Sequence, residues 1–255
     1  MSIAEKLQAV AKNQQKVYDA GFTAGQAAGG DTDAAFQEGF DAGKQAEYDT
    51  FWDTIQQNGN RTDYQFAFTG WSWTPENFKP KYDIKPVRAD YMFANLDASC
   101  IRDLTETLES AGVVLDTAQC INFTNFARYG SPQRFPALDT RSAESLNNMF
   151  VNCSVATIDK LIFKDDGSQV VLSMFSACSP LVDINEIEGV IGQNMNLAPS
   201  KKVSKLTITN VISALSSTTS GMTLQLSKIA VNAAFTTDEW NALAATKSNW
   251  TITLA

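Results

Sequence analysis

The sequence predicts an α+β protein in three parts: a helical, coiled-coil stalk, a solenoid of short repeats, and an α/β segment that caps the solenoid. Three observations support this prediction. Apolar residues recur with heptad spacing near the N-terminus, a Phe-centred motif recurs through the middle of the chain, and helix and strand patterns alternate towards the C-terminus. We expect the stalk at residues 1–58, the repeat body at 59–200 and the capping segment at 201–255.

The N-terminal segment carries a heptad seam. Its inward positions follow one another in steps of four and three residues, at Ile3, Leu7, Val10, Gln14 and Val17. In this register Leu7 lies at position a and the β-branched residues lie at position d, which favours trimers or tetramers over dimers. We therefore expect a homo-oligomer, with a trimer favoured, assembled through these five residues. An amphipathic helix packed on its own domain is the alternative.

A second helix is predicted to complete the stalk. It runs through Trp52 and Ile55 and ends at residues 58–60, where Asn and Gly favour a turn. The boundary between the stalk and the body is placed there.

A recurring motif predicts the body. Its Phe residues step by 33, 24 and 25 residues along the chain and lie at Phe93, Phe126, Phe150 and Phe175. A period near 24 residues falls in the leucine-rich-repeat range, in which each unit adds one strand and one turn or short helix. We therefore expect a leucine-rich-repeat-like solenoid with these rings in its core.

Four cysteines lie far apart and form no C-x-x-C pair, at Cys100, Cys120, Cys153 and Cys178. This spacing argues against a zinc site or a redox motif. Cys153 and Cys178 occupy equivalent places in adjacent repeats, so we expect them to be neighbours in a buried ladder of unpaired thiols. A covalent bond between these two is the alternative.

The capping segment is predicted to alternate between helix and strand. Residues 203–215 have an amphipathic helical pattern, and residues 222–226 and 250–254 alternate as strands. Between the strands, Thr236 and Glu239 have the spacing of a helix N-cap with its early acid. A terminal unit of different design fits the need of a solenoid to cover its open core.

The composition argues against several functions. The chain has no His, which removes Ser-His-Asp and Cys-His catalysis and most transition-metal sites. A net charge of −8 argues against binding to nucleic acid or to an anionic membrane. No apolar run has the length of a membrane helix, and the N-terminus does not read as a signal peptide. We expect a non-enzymatic protein without cofactor or metal, with carboxylate-only glycoside hydrolysis as the catalytic alternative.

A resemblance adds a class of function to these expectations. The Met-Phe-x-x-Cys-Ser motifs at residues 149–154 and 174–179 resemble the BspA-like leucine-rich repeats of bacterial surface proteins. Over nearly its full length the chain is also similar to a group of proteins encoded by phages and prophages of gut Firmicutes. The segments that carry this second likeness are residues 16–21, 46–53, 78–84 and 236–243. An 18-residue echo between residues 18–25 and 36–43 departs from the pattern and leaves the length of the stalk open.

The resemblance implies a virion protein, synthesised in the host cytoplasm and carried in a phage tail. Its implied role is that of a tail fibre or tail-tip adhesin, which docks on other tail or baseplate subunits and binds a host cell-surface glycan or protein. A bacterial surface adhesin is one alternative. A purely structural component of a tail, capsid or injection particle is another.

The resemblance transfers no site residues, so the candidate receptor contacts come from the sequence alone. Trp71 and Trp73 alternate with polar residues and could stack on sugars, or could cover the first edge of the solenoid. Arg128 and Tyr129 lie in an irregular turn, where substitution is tolerated and binding residues concentrate. Tyr91 is a further candidate.

Overall fold

The computed structural model describes residues 49, 52–69, 73–74, 78–96 and 101–255. These residues divide into two compact units. The first unit contains residues 49 and 52–60 together with 79–82. The second unit contains all the other described residues.

A buried glutamine holds the first unit together. The Gln56 side-chain nitrogen donates a hydrogen bond to the Tyr82 carbonyl oxygen at 2.6 Å. Its side-chain oxygen accepts from the backbone N–H groups of Lys81 and Tyr82 at 2.8 and 3.1 Å. Asp53 adds an ion pair with Lys81 at 2.9 Å. The short helical stretch at residues 52–55 is therefore tied to a later part of the same chain.

The predicted fold class is wrong. The described residues form a mixed structure with few helices and small parallel sheets, and they contain no long coiled-coil stalk. In the described part of the predicted stalk, the helix ends at Ile55 and polar pairing through Gln56 joins it to residues 79–82. A coiled coil needs a continuous apolar seam instead. The heptad positions lie outside the described residues: Ile3, Leu7, Val10, Gln14 and Val17.

The middle of the second unit is built from stacked short strands. One parallel sheet contains β1 (Arg134–Phe135), β3 (Thr157–Ile158) and β5 (Asp183–Ile184). A second parallel sheet contains β2 (Leu138–Asp139), β4 (Leu161–Ile162) and β6 (Ile187–Glu188). Each turn of the chain thus contributes two strands, where the sequence predicted one.

The stack has an aromatic core, as predicted from the repeat motif. The repeat rings are fully buried, which confirms their expected place: Phe93, Phe126, Phe150 and Phe175. Phe150 and Phe175 stack with ring centroids 5.5 Å apart and an interplanar angle of 5°. Removing a side chain of this size from water stabilises the fold by about 1.5 to 3 kcal/mol.

Helices flank the strands on both sides in sequence. The first, α1 (Leu104–Ala111), begins at the N-cap Asp103 and ends at Gly112, whose φ of 68° gives a left-handed C-cap. The others lie in the last quarter of the chain, as α2 (Lys205–Ala214), α3 (Lys228–Ala234) and α4 (Thr237–Ala245). Among the helices described, none is long and apolar enough to cross a membrane.

The strands of a third parallel sheet come before, between and after these C-terminal helices in the sequence. It contains β7 (Met195–Asn196), β8 (Met222–Leu226) and β9 (Trp250–Leu254). Both strands predicted after residue 200 are confirmed, as are the helices predicted before the first of them and at Thr236. Helix α3 was not predicted.

Candidate functional site

The turns between strands repeat an unusual backbone conformation. Non-glycine residues with a positive φ form one row at Phe66, Tyr91, Asn125 and Asn148. A second row contains Asn95, Tyr129 and Asn152, each four residues after a member of the first row, and Ala177 in the following turn. This left-handed conformation costs roughly 1 to 2 kcal/mol for most residues, and Asn tolerates it best. Large aromatic residues in these rows are therefore exceptional.

Hydrogen bonds between neighbouring turns hold the rows in place. The Phe66 N–H donates to the Asp90 carbonyl oxygen at 3.1 Å, and the Tyr91 N–H donates to that of Thr124 at 3.2 Å. In the second row the Tyr129 N–H donates to the Val151 carbonyl oxygen at 3.1 Å. The backbone of each turn is thus fixed by the next one, and the side chains project from a rigid frame.

Two aromatic rings of the first row lie against each other. Phe66 and Tyr91 stack with centroids 4.8 Å apart and an interplanar angle of 19°. Phe66 keeps 50% of its surface exposed, and Tyr91 is partly exposed. The two rings cover each other's inner faces, and the pair remains partly open to solvent.

Arg128 links this pair to the second row. Its guanidinium carbon lies 5.0 Å from the centroid of the Tyr129 ring, which is 49% exposed. Hydrogen bonding to the side chain of Tyr129, and to a smaller degree to that of Tyr91, raises the pKa of Arg128. Its Nε atom is buried and meets no hydrogen-bond partner among the described residues. Arg128 is therefore a charged hydrogen-bond donor that lies between two tyrosines.

We refer to Phe66, Tyr91, Arg128 and Tyr129 as the aromatic cluster. It combines partly exposed aromatic rings, two phenol groups and one guanidinium. Such a set suits a ligand with an apolar face and polar edges, since rings stack on the face while the guanidinium and hydroxyl groups bond to the edge.

The residues predicted from the sequence to contact a receptor lie in different places in the structure. Arg128 and Tyr129 lie together in the aromatic cluster, and Tyr91 joins them. Trp73 is only 4% exposed, packs edge-on against Phe68 and Phe78, and donates from Nε1 to the Phe68 carbonyl oxygen. Its place is in the core. Trp71 lies outside the described residues.

The sequence reasoning missed Phe66. The signal was present, because Phe66-Ala67-Phe68 has the same spacing as Tyr91-Met92-Phe93, 25 residues later. Extending the repeat alignment by one unit towards the N-terminus would have placed Phe66 in the row of Tyr91.

Several acidic residues elsewhere in the second unit are engaged in ion pairs. Arg134 lies between Asp103 at 3.4 Å and Asp159 at 2.9 Å. Lys160 pairs with Glu186 and Glu188. Within the described ranges, no group of three or more Asp, Glu or Cys side chains is arranged to hold a metal ion. The aromatic cluster is therefore the strongest candidate site in this part of the chain.

Comparisons with known proteins add no assignment. No family model matches the chain, and no curated protein or solved structure matches it either. The candidate site therefore rests on the geometry of the described residues.

Proposed function

We propose that this protein is a non-enzymatic adhesin of a phage tail and that the aromatic cluster binds its receptor on the host cell surface. The cluster is the observation that carries the proposal. The resemblance to phage-encoded proteins of gut Firmicutes supplies the biological setting.

The repeats themselves argue that the cluster serves binding. Asn148, Asn152 and Ala177 occupy the same rows as the aromatic residues in later repeats. The stack therefore forms without large rings at these positions. Phe66 and Tyr129 nevertheless adopt the left-handed backbone conformation, which is unfavourable for large residues, and about half of the surface of each remains exposed to water. Strained, solvent-exposed residues of this kind gather at ligand sites.

The chemistry of the cluster fits a cell-surface glycan. A pyranose ring presents an apolar face of C–H groups that stacks on an aromatic ring, and its hydroxyl groups accept hydrogen bonds at the edge. Arg128 would supply such donors, and it would pair with a carboxylate where the sugar carries one. A protein receptor with an exposed aromatic or acidic side chain offers similar contacts.

The test compares variants of the full chain on intact cells. Phe66→Asn and Tyr129→Asn introduce the residue that other repeats use in the same backbone conformation, so the fold should be kept. We expect each to weaken binding of the labelled protein to host cells by roughly tenfold or more, as for a central interface residue. Leu172→Asn is the matched control, because Leu172 is 47% exposed and lies outside the cluster.

Circular dichroism would first show that all three variants fold. Equal binding by the folded cluster variants and the wild type would reject the site. If the wild type bound none of a panel of Firmicutes cells, the proposed adhesin role would be lost and a purely structural role in the particle would be favoured.

A further inference from the structure

Two cysteine side chains meet in the core of the stacked strands. Cys153 and Cys178 lie 25 residues apart, in neighbouring turns, with their Sγ atoms 3.2 Å from each other. Both are buried and both are free thiols. The expectation that they are buried neighbours is confirmed.

The backbone around the two thiols is fixed by other contacts. The Phe150 N–H donates to the Met174 carbonyl oxygen at 2.9 Å, and the Asn152 N–H donates to that of Ser176 at 3.0 Å. The stacked rings of Phe150 and Phe175 lock the same two turns. The sulfur atoms are thus held close by the fold around them.

This geometry is close to that of a disulfide. Backbones joined directly by N–H···O=C bonds, as these two turns are by the bond from Asn152 to Ser176, lie about 4.8 Å apart. This spacing falls in the range of about 4.4 to 6.8 Å that a disulfide requires between its Cα atoms. A bond would need the sulfur atoms to approach to about 2.05 Å. That movement requires rotation about the Cα–Cβ bond of each cysteine, and the two turns must let the Cβ atoms approach to about 3.5 to 4.5 Å.

We propose that Cys153 and Cys178 form a latent intramolecular cross-link, which the disulfide form of a small thiol such as glutathione closes. The Cys153 thiolate attacks one sulfur of the small disulfide, forms a mixed disulfide and releases one thiolate. The Cys178 thiolate then attacks Sγ of Cys153 and releases the second. In total, two cysteine thiols are oxidised and one small disulfide is reduced to two thiols. This proposal does not depend on the proposed function.

Burial sets the rate of this reaction. Cys153 is 5% exposed and Cys178 is fully buried. Burial raises the pKa of the Cys153 thiol well above its ordinary value, so the attacking thiolate is rare in the folded state. Reaction therefore requires local opening of the two turns, and the closed bond is in turn protected from reductants.

Cys120 provides a matched control. It is also buried, and burial raises the pKa of its thiol to about 12. Its Sγ atom lies 3.4 Å from the Asn122 carbonyl oxygen. No other described cysteine contacts it, so it has no partner in this part of the chain for an intramolecular bond.

The test uses the full-length protein and oxidised glutathione, without urea and at a urea concentration below the unfolding transition. Remaining thiols are trapped by alkylation, and mass spectrometry of digests identifies the cross-linked peptides. We expect a bond between Cys153 and Cys178 in the wild type and in Cys120→Ala, formed several times faster with urea. Cys153→Ala and Cys178→Ala should each abolish it. The oxidised wild type should melt roughly 5 to 10 °C higher than the reduced protein, because the bond restricts the unfolded chain.

A second experiment gives a result that does not depend on how fast the two turns open in the folded protein. The chain is unfolded in urea and refolded in a glutathione redox buffer, so that every thiol is accessible before the core forms. Recovery of the bond between Cys153 and Cys178 supports the proposal. Mixed disulfides alone, or bonds that join other cysteines, would overturn it, and so would a cross-linked protein that melts lower than the reduced one.

Discussion

The stacked strands at residues 134–188 and the segment at residues 205–255 both pair their strands in parallel, yet different interactions stabilise them. In the stack each strand is two residues long, and fully buried rings such as Phe150 and Phe175 fill the core. In the C-terminal segment β8 and β9 pair over five residues. Short strands have few hydrogen bonds to their neighbours, so their stability depends on side-chain packing. Longer strands form more of these bonds and can support helices that bury few of their own side chains.

Helix α4 shows that an element of the C-terminal segment can form without buried side chains. None of its residues is buried, and Trp240 lies against the partly exposed ring of Phe235 at a centroid distance of 6.0 Å. The helix begins instead with a capping box, in which the side chains of Thr236 and Glu239 each bond to the other's backbone N–H. Lys205 pairs with Glu239 at 2.8 Å. Polar interactions at the start of the helix thus take the place of a core.

The largest expected effect comes from opening the aromatic core. Phe150→Ala should lower the free energy of unfolding by about 3 to 5 kcal/mol, because the cavity forms between rings that are locked in place. Trp240→Ala removes a larger ring from α4 and should cost only about 1 kcal/mol. Urea denaturation of both variants measures the two costs. Equal costs would contradict the contrast between the two regions.

Substitution of two glycines tests whether the backbone is packed more closely in the stack than in the C-terminal segment. Gly189 and Gly221 have similar φ angles of 79° and 75°. A Cβ atom on Gly189 would lie 2.1 Å from the Phe163 carbonyl oxygen, whereas on Gly221 it would meet nothing within 4 Å. Gly189→Ala should therefore cost about 3 kcal/mol, from the left-handed backbone and the clash together.

Gly221→Ala is the matched control and should cost about 1 kcal/mol, from the left-handed backbone alone. Thermal denaturation under identical conditions compares the two variants. If both lost the same stability, close packing of neighbouring turns at Gly189 would not be what distinguishes the stack.

The smallest expected effect concerns the cap of α4. Thr236→Ala removes the side chain that accepts from the Glu239 N–H, and it should cost about 1 kcal/mol. Amide hydrogen exchange in α4 would report the loss directly. Protection should fall in α4 and stay unchanged in the stacked strands, and a loss spread over both would mean that the cap is coupled to the core.

The same cap predicts a pH dependence. The hydrogen bond from Lys205, followed by those from Thr236, lowers the pKa of Glu239 from about 4.5 to about 2. A carboxyl group whose pKa is lower in the folded state stabilises the fold above its unfolded pKa, and this contribution is lost as the pH falls through the folded pKa. Protection of α4 should therefore decrease between about pH 5 and pH 2. Glu239→Gln should flatten that decrease, and an unchanged profile would contradict it.

Local sequence patterns were sufficient to predict the elements whose structure is decided by residues adjacent in the chain. Strands β8 and β9 were readable from alternation, and α4 was readable from Thr236 and Glu239, because period and capping are properties of a few adjacent residues. Helix α3 was missed because it spans only seven residues, too few for a helical period to stand out in the sequence. Its formation depends on packing against α2, a contact between distant parts of the chain.

The repeat motif determined by itself that the Phe rings and the pair Cys153 and Cys178 would be buried neighbours, because recurrence at a fixed step implies stacking. Only the tertiary structure decided that each turn contributes two strands, that Gln56 binds residues 79–82, and that Phe66 meets Tyr91 beside Arg128 and Tyr129. The strand pairs, the Gln56 bonds and the contact of Phe66 with Tyr91 join residues 23 or more positions apart. Their energies depend on which turns pair and in what register, and periodicity leaves that choice open.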